Sequence, residues 1–391
     1  MQGKIILHRG KEYSIQRFHP WIFSGAIQST EGTLSDGCWV DVFTSKGGFL
    51  GSGHYQKGSI TVRMLTFAQA PAEDFWAEKF RRAFKTRRTH NIPSAETDAY
   101  RLVHGEGDGL PGLIIDVYNG VAVVQAHSAG MHVDREPIAS ALKEVLPDLT
   151  AIYYKNQGSS LRKEENKISD EYLFGMSALP HLMHENGKNF LVDWEEGQKT
   201  GFFLDQRDNR KLLGSFVEGK NVLNTFCYSG GFSVYALAAN ASLVHSVDAS
   251  DKAIELTRKN ITLNGFDPTL HACYTDDVFD FMKEKQDKYD VIILDPPAFA
   301  KHRDARHQAV KGYQRLNAEA MKVVKHGGII FTFSCSQVVD RKLFYDTIVS
   351  AAIQAGRQIK VLYQLSQSPD HPVSIFHPEG EYLKGLVLYV E

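Results

Sequence analysis

Acidic side chains follow short apolar runs in the second half of the chain, and one of them has an unusual setting. Asp295 ends the run at residues 291–294 and is followed by Pro296 and Pro297. A residue before proline is pushed to extended geometry, and proline has a fixed φ and no N–H. The sequence thus places an ionisable carboxylate and rigid carbonyls at the end of a buried strand, where open α/β sheets bind ligands. Taken alone, this pattern also suits a plain turn capped by an acid.

A second stretch offers a backbone that a ligand could approach closely. The apolar run at residues 222–226 leads into Cys-Tyr-Ser-Gly-Gly and then into a predicted helix. Glycines permit close approach to the backbone, and a helix N-terminus offers N–H donors. Phe226, Tyr228 and Gly230 lie in this turn and are candidates for cofactor binding. The turn is not Gly-x-Gly-x-x-Gly, so the dinucleotide fingerprint is not met and an NAD-dependent oxidoreductase is disfavoured.

Two more acids stand at the ends of the next predicted strands. Asp248 could accept both hydroxyls of a ribose, and Asp277 could meet an adenine amino group. One acid at a strand end is weak evidence for a site. Because Asp295 ends a further strand of the same predicted sheet, the three acids together favour a nucleoside cofactor site.

A cysteine ends the following apolar run. Cys335 stands between two serines after residues 328–333, on the predicted edge that carries Asp295. Cysteine is more often a small buried apolar residue. Its position in a polar turn beside a carboxylate favours a nucleophile instead.

The elements that must position these residues alternate between strand and helix, which predicts a parallel doubly wound sheet. The pattern predicts strands at residues 222–226, 243–247, 270–274, 291–294, 329–333, 359–363 and 386–390, and helices at 231–239, 250–263, 278–286, 307–325 and 340–355. No clear helix precedes the last strand, which is therefore compatible with an antiparallel direction.

Length and composition limit the class of protein. A chain of 391 residues predicts two or three domains, and 43% hydrophobic and 23% charged residues are ordinary for a globular protein. The net charge of −2 excludes a globally basic nucleic-acid binder but not local basic patches. The four cysteines are far apart, without metal-ligand spacing or a disulfide framework, which fits a reducing cytoplasm. The sequence shows no signal-peptide pattern. It also has no run of about 18 apolar residues, so we expect no membrane span.

The first 70 residues read as a small all-β barrel or sandwich. Short strands are predicted at residues 5–8, 39–43, 48–54 and 60–65, separated by glycine-rich breaks. Arg17 and Trp21 belong to an aromatic, proline-stiffened stretch, where arginine and aromatic side chains can grip phosphate and stack bases. The alternative is that Trp21 and Phe23 simply cap the barrel core.

The middle segment, residues 71–185, combines a basic helix with a hairpin. Residues 79–88 hold six Lys or Arg, with Phe80 and Phe84 spaced to face inward, so we expect a basic face that is either solvated or bound to phosphate. Asn119-Gly120 between two apolar runs predicts a β-hairpin. The glycine-rich residues 101–112 are expected to form a tight connecting loop.

Several motifs together resemble a known family. They are Gly197-Gln-Lys-Thr-Gly-Phe-Phe-Leu-Asp-Gln-Arg, Asn224-Thr-Phe-Cys-Tyr-Ser-Gly-Gly-Phe, Asp295-Pro-Pro-Ala-Phe, Phe333-Ser-Cys-Ser and His377-Pro-Glu-Gly-Glu-Tyr-Leu-Lys-Gly. The C-terminal half looks like a class I S-adenosylmethionine (SAM)-dependent methyltransferase, and more narrowly like the large-subunit ribosomal RNA methyltransferases that make 5-methylcytosine. His19-Pro-Trp-Ile-Phe-Ser-Gly and Gly51-Ser-Gly-His-Tyr resemble that family's RNA-binding PUA domain. Asn224 stands where an acid is common in methyltransferases.

The resemblance implies a fold in three parts. Residues 1–70 would form a PUA-like RNA-binding β-barrel, residues 71–185 a small central α/β domain, and residues 186–391 a Rossmann-like class I methyltransferase domain. SAM would be the cofactor, and large-subunit ribosomal RNA or its assembly intermediates the partner. For the cofactor the resemblance adds Gln206, Arg210 and Pro296 to the acids and the glycine turn.

The resemblance also implies roles in catalysis. Cys335 would attack C6 of cytosine as a thiolate, and Asp295 would hold the base by its N3 and exocyclic amine. Phe299 could stack on the base. Further RNA contacts would come from the basic loop that follows it, with Lys301, Arg303 and Arg306.

Other functions stay open at this point. Relatives with Asp-Pro-Pro-x-Phe methylate a purine ring nitrogen without a cysteine, and exocyclic-amine methyltransferases carry the aromatic residue directly after the prolines, where this chain has Ala298. A non-catalytic RNA-binding assembly factor with a methyltransferase fold would use the β module and the basic helix equally well. The sequence leaves open the nucleotide, the form of the RNA, the base that removes the C5 proton, and whether the chain acts as a monomer or a homodimer.

Overall fold

The computed structural model describes residues 3–156, 169–283, 288–300 and 302–391. The chain divides into two compact units. The first unit holds Met1–His184, Val192–Phe202 and Pro369–Gly380, and the second unit holds Glu185–Leu191, Phe203–Ser368 and Glu381–Glu391. No helix in the described ranges has the length and apolar character needed to cross a membrane.

A six-stranded sheet opens the first unit. Its elements are β1 (Gly3–Leu7), α1 (Glu12–Gln16), β2 (Trp21–Phe23), β3 (Ile27–Gly32), β4 (Trp39–Phe43), β5 (Phe49–Tyr55) and β6 (Ile60–Met64), with strand order β2-β6-β5-β4-β1-β3. Alternate residues of these strands, such as Ile5, Val40 and Val62, are fully buried in one apolar cluster. The four predicted strands are present. The aromatic stretch thought to be a loop forms β2, and Phe23 is 47% exposed, so it does not cap the core.

A second sheet of five strands completes the larger part of the first unit. Its elements are α2 (Phe75–Arg88), β7 (Ala99–His104), β8 (Leu113–Tyr118), β9 (Val121–Ala126), α3 (Ala129–Val133), α4 (Arg135–Val145), β10 (Ala151–Tyr154) and β11 (Glu171–Gly175), with strand order β11-β10-β9-β8-β7. The predicted hairpin is confirmed, because β8 and β9 pair antiparallel and Asn119 and Gly120 both have positive φ. The predicted boundary near residue 70 lies between β6 and α2 and stays a prediction.

Two expectations about this region hold only in part. Residues 105–112 connect β7 to β8, and α2 has an exposed basic face with Arg81, Arg82, Lys85 and Arg88, but Arg101 and Arg87 are placed differently from the prediction. Arg101 does not lie in a connecting loop but in β7, where its guanidinium binds Asp116 at 2.7 and 2.8 Å. Arg87 does not lie on a solvated face of α2: its side chain is buried and donates to Asp108 at 2.7 Å. Lys79 is half-buried and donates to the carbonyl of Gly109 at 3.2 Å. The loop at residues 105–112 supplies the carboxylate of Asp108 and the carbonyl of Gly109. Because these groups bind Arg87 and Lys79, the two basic side chains can be buried.

A two-stranded sheet, β12 (His181–Glu185) and β13 (Lys188–Val192), follows in the chain. The second unit is then built on a seven-stranded sheet. Its elements are α5 (Arg207–Leu213), β14 (Asn221–Thr225), α6 (Gly231–Ala238), β15 (Leu243–Asp248), α7 (Asp251–Leu263), β16 (His271–Thr275), α8 (Val278–Lys283), β17 (Tyr289–Leu294), α9 (Arg306–Val323), β18 (Val324–Ser334), α10 (Arg341–Ala355), β19 (Ile359–Leu365) and β20 (Lys384–Val390).

The order of this sheet is β16-β15-β14-β17-β18-β20-β19. The strands from β14 to β18 run parallel, whereas β20 runs antiparallel to both β18 and β19. The predicted strands and helices are all found, with ends that differ by a few residues. Val222, Ile292 and Ile330 are fully buried, which accounts for the unbroken apolar runs of a sheet covered on both faces.

Candidate active site

The carboxyl ends of the parallel strands bring the predicted residues to one edge of the sheet. In the strand register Thr225 pairs with Leu294, and Leu294 pairs with Thr332. The residues that follow these positions, Phe226, Asp295 and the Ser-Cys-Ser turn, therefore leave the sheet side by side. This is the edge at which open α/β sheets bind ligands.

The turn after β14 is held in a strained conformation. Phe226 and Tyr228 have φ of +53° and +47°, in the left-handed region, and Gly230 follows with φ of +74°. Such a conformation costs a residue other than glycine on the order of 1–3 kcal/mol, and it persists only where the surroundings enforce it. Here α7 enforces it, since Thr257 Oγ1 donates to the carbonyl of Tyr228 at 3.0 Å and Asn260 Nδ2 to that of Ser229 at 2.8 Å.

Gly230 has a steric role as well. A Cβ at this position would lie 2.7 Å from Cγ2 of Thr257. Only glycine lets the turn pass α7 this closely. The sequence indicated the glycine, but it gave no signal for Thr257 or Asn260, because a threonine and an asparagine inside a helix are ordinary.

Asp248 is fixed at the end of β15 by the turn next to it. Its carboxylate accepts the backbone N–H of Tyr228 at 3.1 Å and that of Ser250 at 3.0 Å. Asp277 has a different setting: it is exposed and accepts the N–H groups of Phe279 and Asp280 at 2.9 and 3.2 Å, as a cap of α8. Contact of either acid with a cofactor stays a prediction.

Arg210 and Gln206 differ in what they offer a ligand. Arg210 is buried and grips Glu185 through two hydrogen bonds of 2.8 and 2.7 Å, while a third bond of 2.9 Å reaches the carbonyl of Phe203. These bonds indicate that Arg210 holds the backbone at Phe203 against Glu185. Gln206 is also buried; its Oε1 accepts from Asn209 at 2.6 Å, but its Nε2 has no hydrogen-bond partner among the described residues.

Asn224, where other methyltransferases often carry an acid, is buried at the end of β14. Its Nδ2 donates to Ser233 Oγ at 2.8 Å, and Ser233 lies 2.7 Å from Ser246 Oγ. The side chain thus ties β14 to α6 and β15, inside the sheet.

Asp295 and Cys335 are joined through the loops that carry them. Cys335 Sγ lies 3.9 Å from the carbonyl oxygen of Pro296, and Ser336 Oγ donates to the carbonyl of Ala300 at 2.7 Å. Both Asp295 and Cys335 are half-buried. The two loops therefore present a carboxylate and a thiol on one short stretch of the sheet edge.

Lys384, which the sequence reasoning missed, lies beside this pair. It faces Ser334 across the antiparallel ladder of β18 and β20, is buried, and donates to the carbonyl of Ser336 at 2.8 Å. Burial lowers the pKa of Lys384 to about 8, and the nearby Cys335 opposes that shift. A single lysine at the start of an apolar strand was the available signal.

Tyr313 of α9 is a second group that sequence reasoning missed. Its ring packs against that of Phe299 with 4.6 Å between the centroids, and its hydroxyl is buried next to Ser334 and the backbone of Phe299. Burial raises the pKa of Tyr313 to about 12, so the phenol is neutral at ordinary pH. Phe299 is therefore held partly inside the core cluster, and its stacking on a base stays a prediction.

The residues predicted to contact RNA belong to both units. Arg306 is exposed and its Nη2 lies 3.9 Å from Asp340. Lys301 and the side chain of Arg303 lie outside the described part of the structure. Arg17 is exposed on the first unit, where Trp21 is half-buried and donates through Nε1 to Glu106 at 2.9 Å. Their contact with RNA stays a prediction.

Comparison with known proteins decides the family. A family model described as S-adenosylmethionine-dependent methyltransferase matches residues 100–375, and a model of a PUA-like domain matches residues 5–67. The chain belongs to the SAM-dependent methyltransferase family. SAM is its cofactor, and the predicted α/β fold with an N-terminal PUA-like barrel is confirmed.

Curated relatives match this methyltransferase along its whole length. The proteins named Ribosomal RNA large subunit methyltransferase I from Shewanella amazonensis and Pseudoalteromonas atlantica are 42% and 40% identical, over all of both chains. The protein of that name from Escherichia coli O139:H28 is 38% identical, again over both full lengths.

Solved structures show the same fold. A proposed SAM-dependent methyltransferase from Streptococcus mutans has a TM-score of 0.83 and 23% identity, with 99% of this chain and 100% of that chain covered. A structure of a proposed methyltransferase in complex with SAH has a TM-score of 0.85 and 24% identity, with the same coverage.

The residues at the sheet edge fit the cofactor. The buried Gln206 Nε2 is a donor without a partner among the described residues, which suits a ligand with carboxylate and hydroxyl oxygens. The strained turn at Phe226 and Tyr228 leads into the N-terminus of α6, and Asp248 is fixed beside it. A polar, partly buried ligand can therefore be satisfied here.

Proposed function

We propose that this methyltransferase forms 5-methylcytosine in large-subunit ribosomal RNA, with Cys335 as the nucleophile. The observation that carries the proposal is the placement of a thiol and a carboxylate on adjacent loops, with Cys335 Sγ 3.9 Å from the carbonyl of Pro296, the residue after Asp295. The names of the full-length relatives support ribosomal RNA as the substrate.

A cysteine is what this reaction needs. Carbon 5 of cytosine is a poor nucleophile, and a thiolate that forms a bond to C6 turns the C5–C6 double bond into an enamine-like centre at C5. When bound, SAM supplies an electrophilic methyl group at this edge. After C5 has gained the methyl group, a base removes the C5 proton and the C6–S bond breaks, which restores the ring and the free thiolate.

Asp295 has the chemistry to hold the base during this sequence. As the attack at C6 pushes electron density to N3, the Asp295 carboxyl delivers its proton to N3, and the resulting carboxylate accepts hydrogen bonds from N3–H and the exocyclic amine. The proton returns to Asp295 when the C6–S bond breaks. The prolines that follow keep the loop rigid, because each has a fixed φ. The carboxylate is therefore presented without reorganisation of the loop, which is how fixed polar groups stabilise a developing charge.

Lys384 supplies the positive charge that a thiolate requires. A thiolate is favoured next to a cation, and an ammonium at the start of β20 lies beside the turn that carries Cys335. With a pKa of about 8, Lys384 is mostly charged at neutral pH despite its burial. It also donates to Ser336, which fixes the Ser-Cys-Ser turn.

The RNA must present the base out of its stack, at a cost of a few kcal/mol. The PUA-like barrel and the basic loop with Lys301, Arg303 and Arg306 are the proposed RNA contacts, and Phe299 the proposed stacking partner. Cys38, Cys227, Cys273 and Cys335 form no disulfide bond with one another. A reducing cytoplasm, the location that we propose, would keep the Cys335 thiol reduced.

A trapping experiment tests the function. RNA that contains 5-fluorocytosine cannot lose a proton from C5, so it should remain covalently bound to the wild-type enzyme in the presence of SAM. Cys335→Ala should trap no RNA, whereas the control Cys273→Ala, at a half-buried cysteine of β16, should trap it as the wild type does. Full methylation by Cys335→Ala would refute the thiolate mechanism.

The modified nucleoside must be identified separately. Mass spectrometry of ribosomal RNA nucleosides, from cells with and without the gene, should show the loss of one 5-methylcytidine. Loss of a methylated purine would instead support transfer to a ring nitrogen, and no change in any nucleoside would support a non-catalytic RNA-binding factor.

A further inference from the structure

A cluster of three metal-ligand side chains lies in the first unit, unrelated to the residues of the proposed reaction. His19 lies two residues before β2, and His377 and Glu379 belong to the segment Pro369–Gly380. One donor atom from each of the three side chains lies within 4.8 Å of the other two. Two imidazoles and a carboxylate are the ligand types that zinc prefers outside thiolate sites.

His377, the buried member of the cluster, has a ring nitrogen whose hydrogen bonding is not satisfied by any described residue. His377 is 3% exposed, and its Nδ1 has no hydrogen-bond partner among the described residues. Glu379 Oε2 lies 3.1 Å away, but without the alignment of a hydrogen bond. A buried polar atom that is left without a partner destabilises the fold, and a bound cation would remove this cost. The aromatic ring of Trp21, whose centroid is 4.3 Å from that of His377, holds the imidazole in place.

His19 has the orientation of a metal ligand. Its Nδ1 lies 3.1 Å from the carbonyl oxygen of Trp21. The backbone N–H of Trp21 also lies 3.1 Å from this nitrogen, so the tautomer decides which of the two bonds forms. With the proton on Nδ1, the ring donates to the carbonyl and leaves the lone pair of Nε2 for a cation. Metal-bound histidines typically show this arrangement, in which the second ring nitrogen donates to a backbone carbonyl or carboxylate.

We propose that His19, His377 and Glu379 bind a divalent transition-metal cation, with zinc as the best match to two nitrogens and one oxygen. Bonds of about 2.0–2.2 Å in a tetrahedron place ligand atoms roughly 3.4 Å apart, so a cluster whose atoms lie within 4.8 Å of one another must contract by up to about 1.4 Å. Glu379 can make this movement, since its side chain is 63% exposed. The fourth position would be taken by water.

The bound ion would cross-link two segments of the first unit that are distant in the sequence. The segment Pro369–Gly380 would be anchored through His377 to His19, two residues before β2. Glu106, which accepts from Trp21 Nε1 at 2.9 Å, adds a carboxylate to the surroundings and favours a cation there. This site is independent of the proposed reaction at Cys335.

Zinc titration of the full chain tests the site. After removal of metal with EDTA and dialysis, calorimetric titration with ZnCl₂ should show one site with a dissociation constant of micromolar or below, and Co²⁺ should give the absorption bands of tetrahedral cobalt. Glu379→Gln, at an exposed position that should not disturb folding, should weaken zinc binding at least ten-fold. His19→Ala and His377→Ala should each weaken it more.

A matched control separates this site from adventitious binding. His326→Ala removes an exposed histidine elsewhere and should leave zinc affinity unchanged. If zinc binds Glu379→Gln and His19→Ala as tightly as the wild type, or binds the wild type only at millimolar concentration, the cluster holds no metal. His377 and Glu379 would then form an ion pair only.

Discussion

Replacement of Glu185 by glutamine removes the carboxylate at the centre of a buried charged cluster. Glu185 is fully buried and accepts two hydrogen bonds from Arg210, at 2.8 and 2.7 Å, and one from Tyr235 Oη at 3.0 Å. Arg207 Nε also lies 3.4 Å from its Oε2. Two guanidinium groups, each at most 3% exposed, therefore face this one anion.

The expected loss of stability follows from this geometry. Removing one partner of a buried ion pair typically costs about 3–5 kcal/mol, because the remaining charge stays desolvated. Glutamine keeps one acceptor oxygen but turns an N–H₂ group toward a guanidinium nitrogen. We expect Glu185→Gln to lower the free energy of unfolding of the second unit by about 3–5 kcal/mol. With a urea m-value of about 2.5 kcal/mol/M, the midpoint falls by about 1–2 M.

Urea unfolding followed by two probes gives the measurement. All four tryptophans, Trp21, Trp39, Trp76 and Trp194, belong to the first unit, so their fluorescence reports on that unit. Far-UV circular dichroism reports on both units. The dichroism transition should move to lower urea in the variant, while fluorescence serves as the internal reference.

A surface variant provides the control for this prediction. Glu255→Gln removes an exposed i, i+4 partner of Lys259 and should leave the midpoint unchanged, since exposed pairs contribute little. A shift of the Glu185→Gln midpoint below about 0.3 M would show that the buried pair does not stabilise the unit, contrary to the reasoning from its desolvation.

Three further predictions follow from the site. Gly230→Ala should weaken SAM binding at least ten-fold in calorimetry, whereas Gly219→Ala, which has a similar φ of +67° but open space around it, should not. Lys384→Met should slow alkylation of Cys335 at pH 7, measured by mass spectrometry, by about ten-fold, the equivalent of about 1.4 kcal/mol; an unchanged rate would exclude a role in thiolate formation. Burial lowers the pKa of His271 from 6.5 to about 4, so the unfolded chain binds the proton first. Stability should therefore be lost as pH falls from about 6.5 to 4, by up to about 3 kcal/mol, and His271→Gln should flatten that dependence of the urea midpoint on pH.

The sequence predicted the sheet edge well, because its signals are local. Apolar runs of four to six residues give the strands, and the residue that ends each run is necessarily at the carboxyl edge. Parallel order then brings Asp248, Asp295 and Cys335 to that edge without knowledge of any contact. The hairpin at Asn119 was predictable for the same reason, since its turn chemistry lies within two residues.

The errors and omissions arise where partners are far apart in the sequence. Arg87 was expected to be solvated, because no acidic residue on its own helix is spaced to bind it. Its ion-pair partner, Asp108, lies on the glycine-rich loop after β7, which the helical pattern does not reveal. Lys384 reaches the Ser-Cys-Ser turn only through the antiparallel ladder, whose register no local pattern specifies. His19 and His377 have no shared motif and meet only in the folded chain.

Strand β20 gives this fold a particular order of assembly during synthesis. It is the last of the strands in chain order, yet it lies between β18 and β19, pairing with both. Until it emerges from the ribosome, β18 and β19 each expose an unpaired edge, which invites pairing with other chains. Because β20 begins with Lys384, the cation beside Cys335 also arrives in this final step. A nascent chain would therefore carry the thiol before it has the group proposed to activate it.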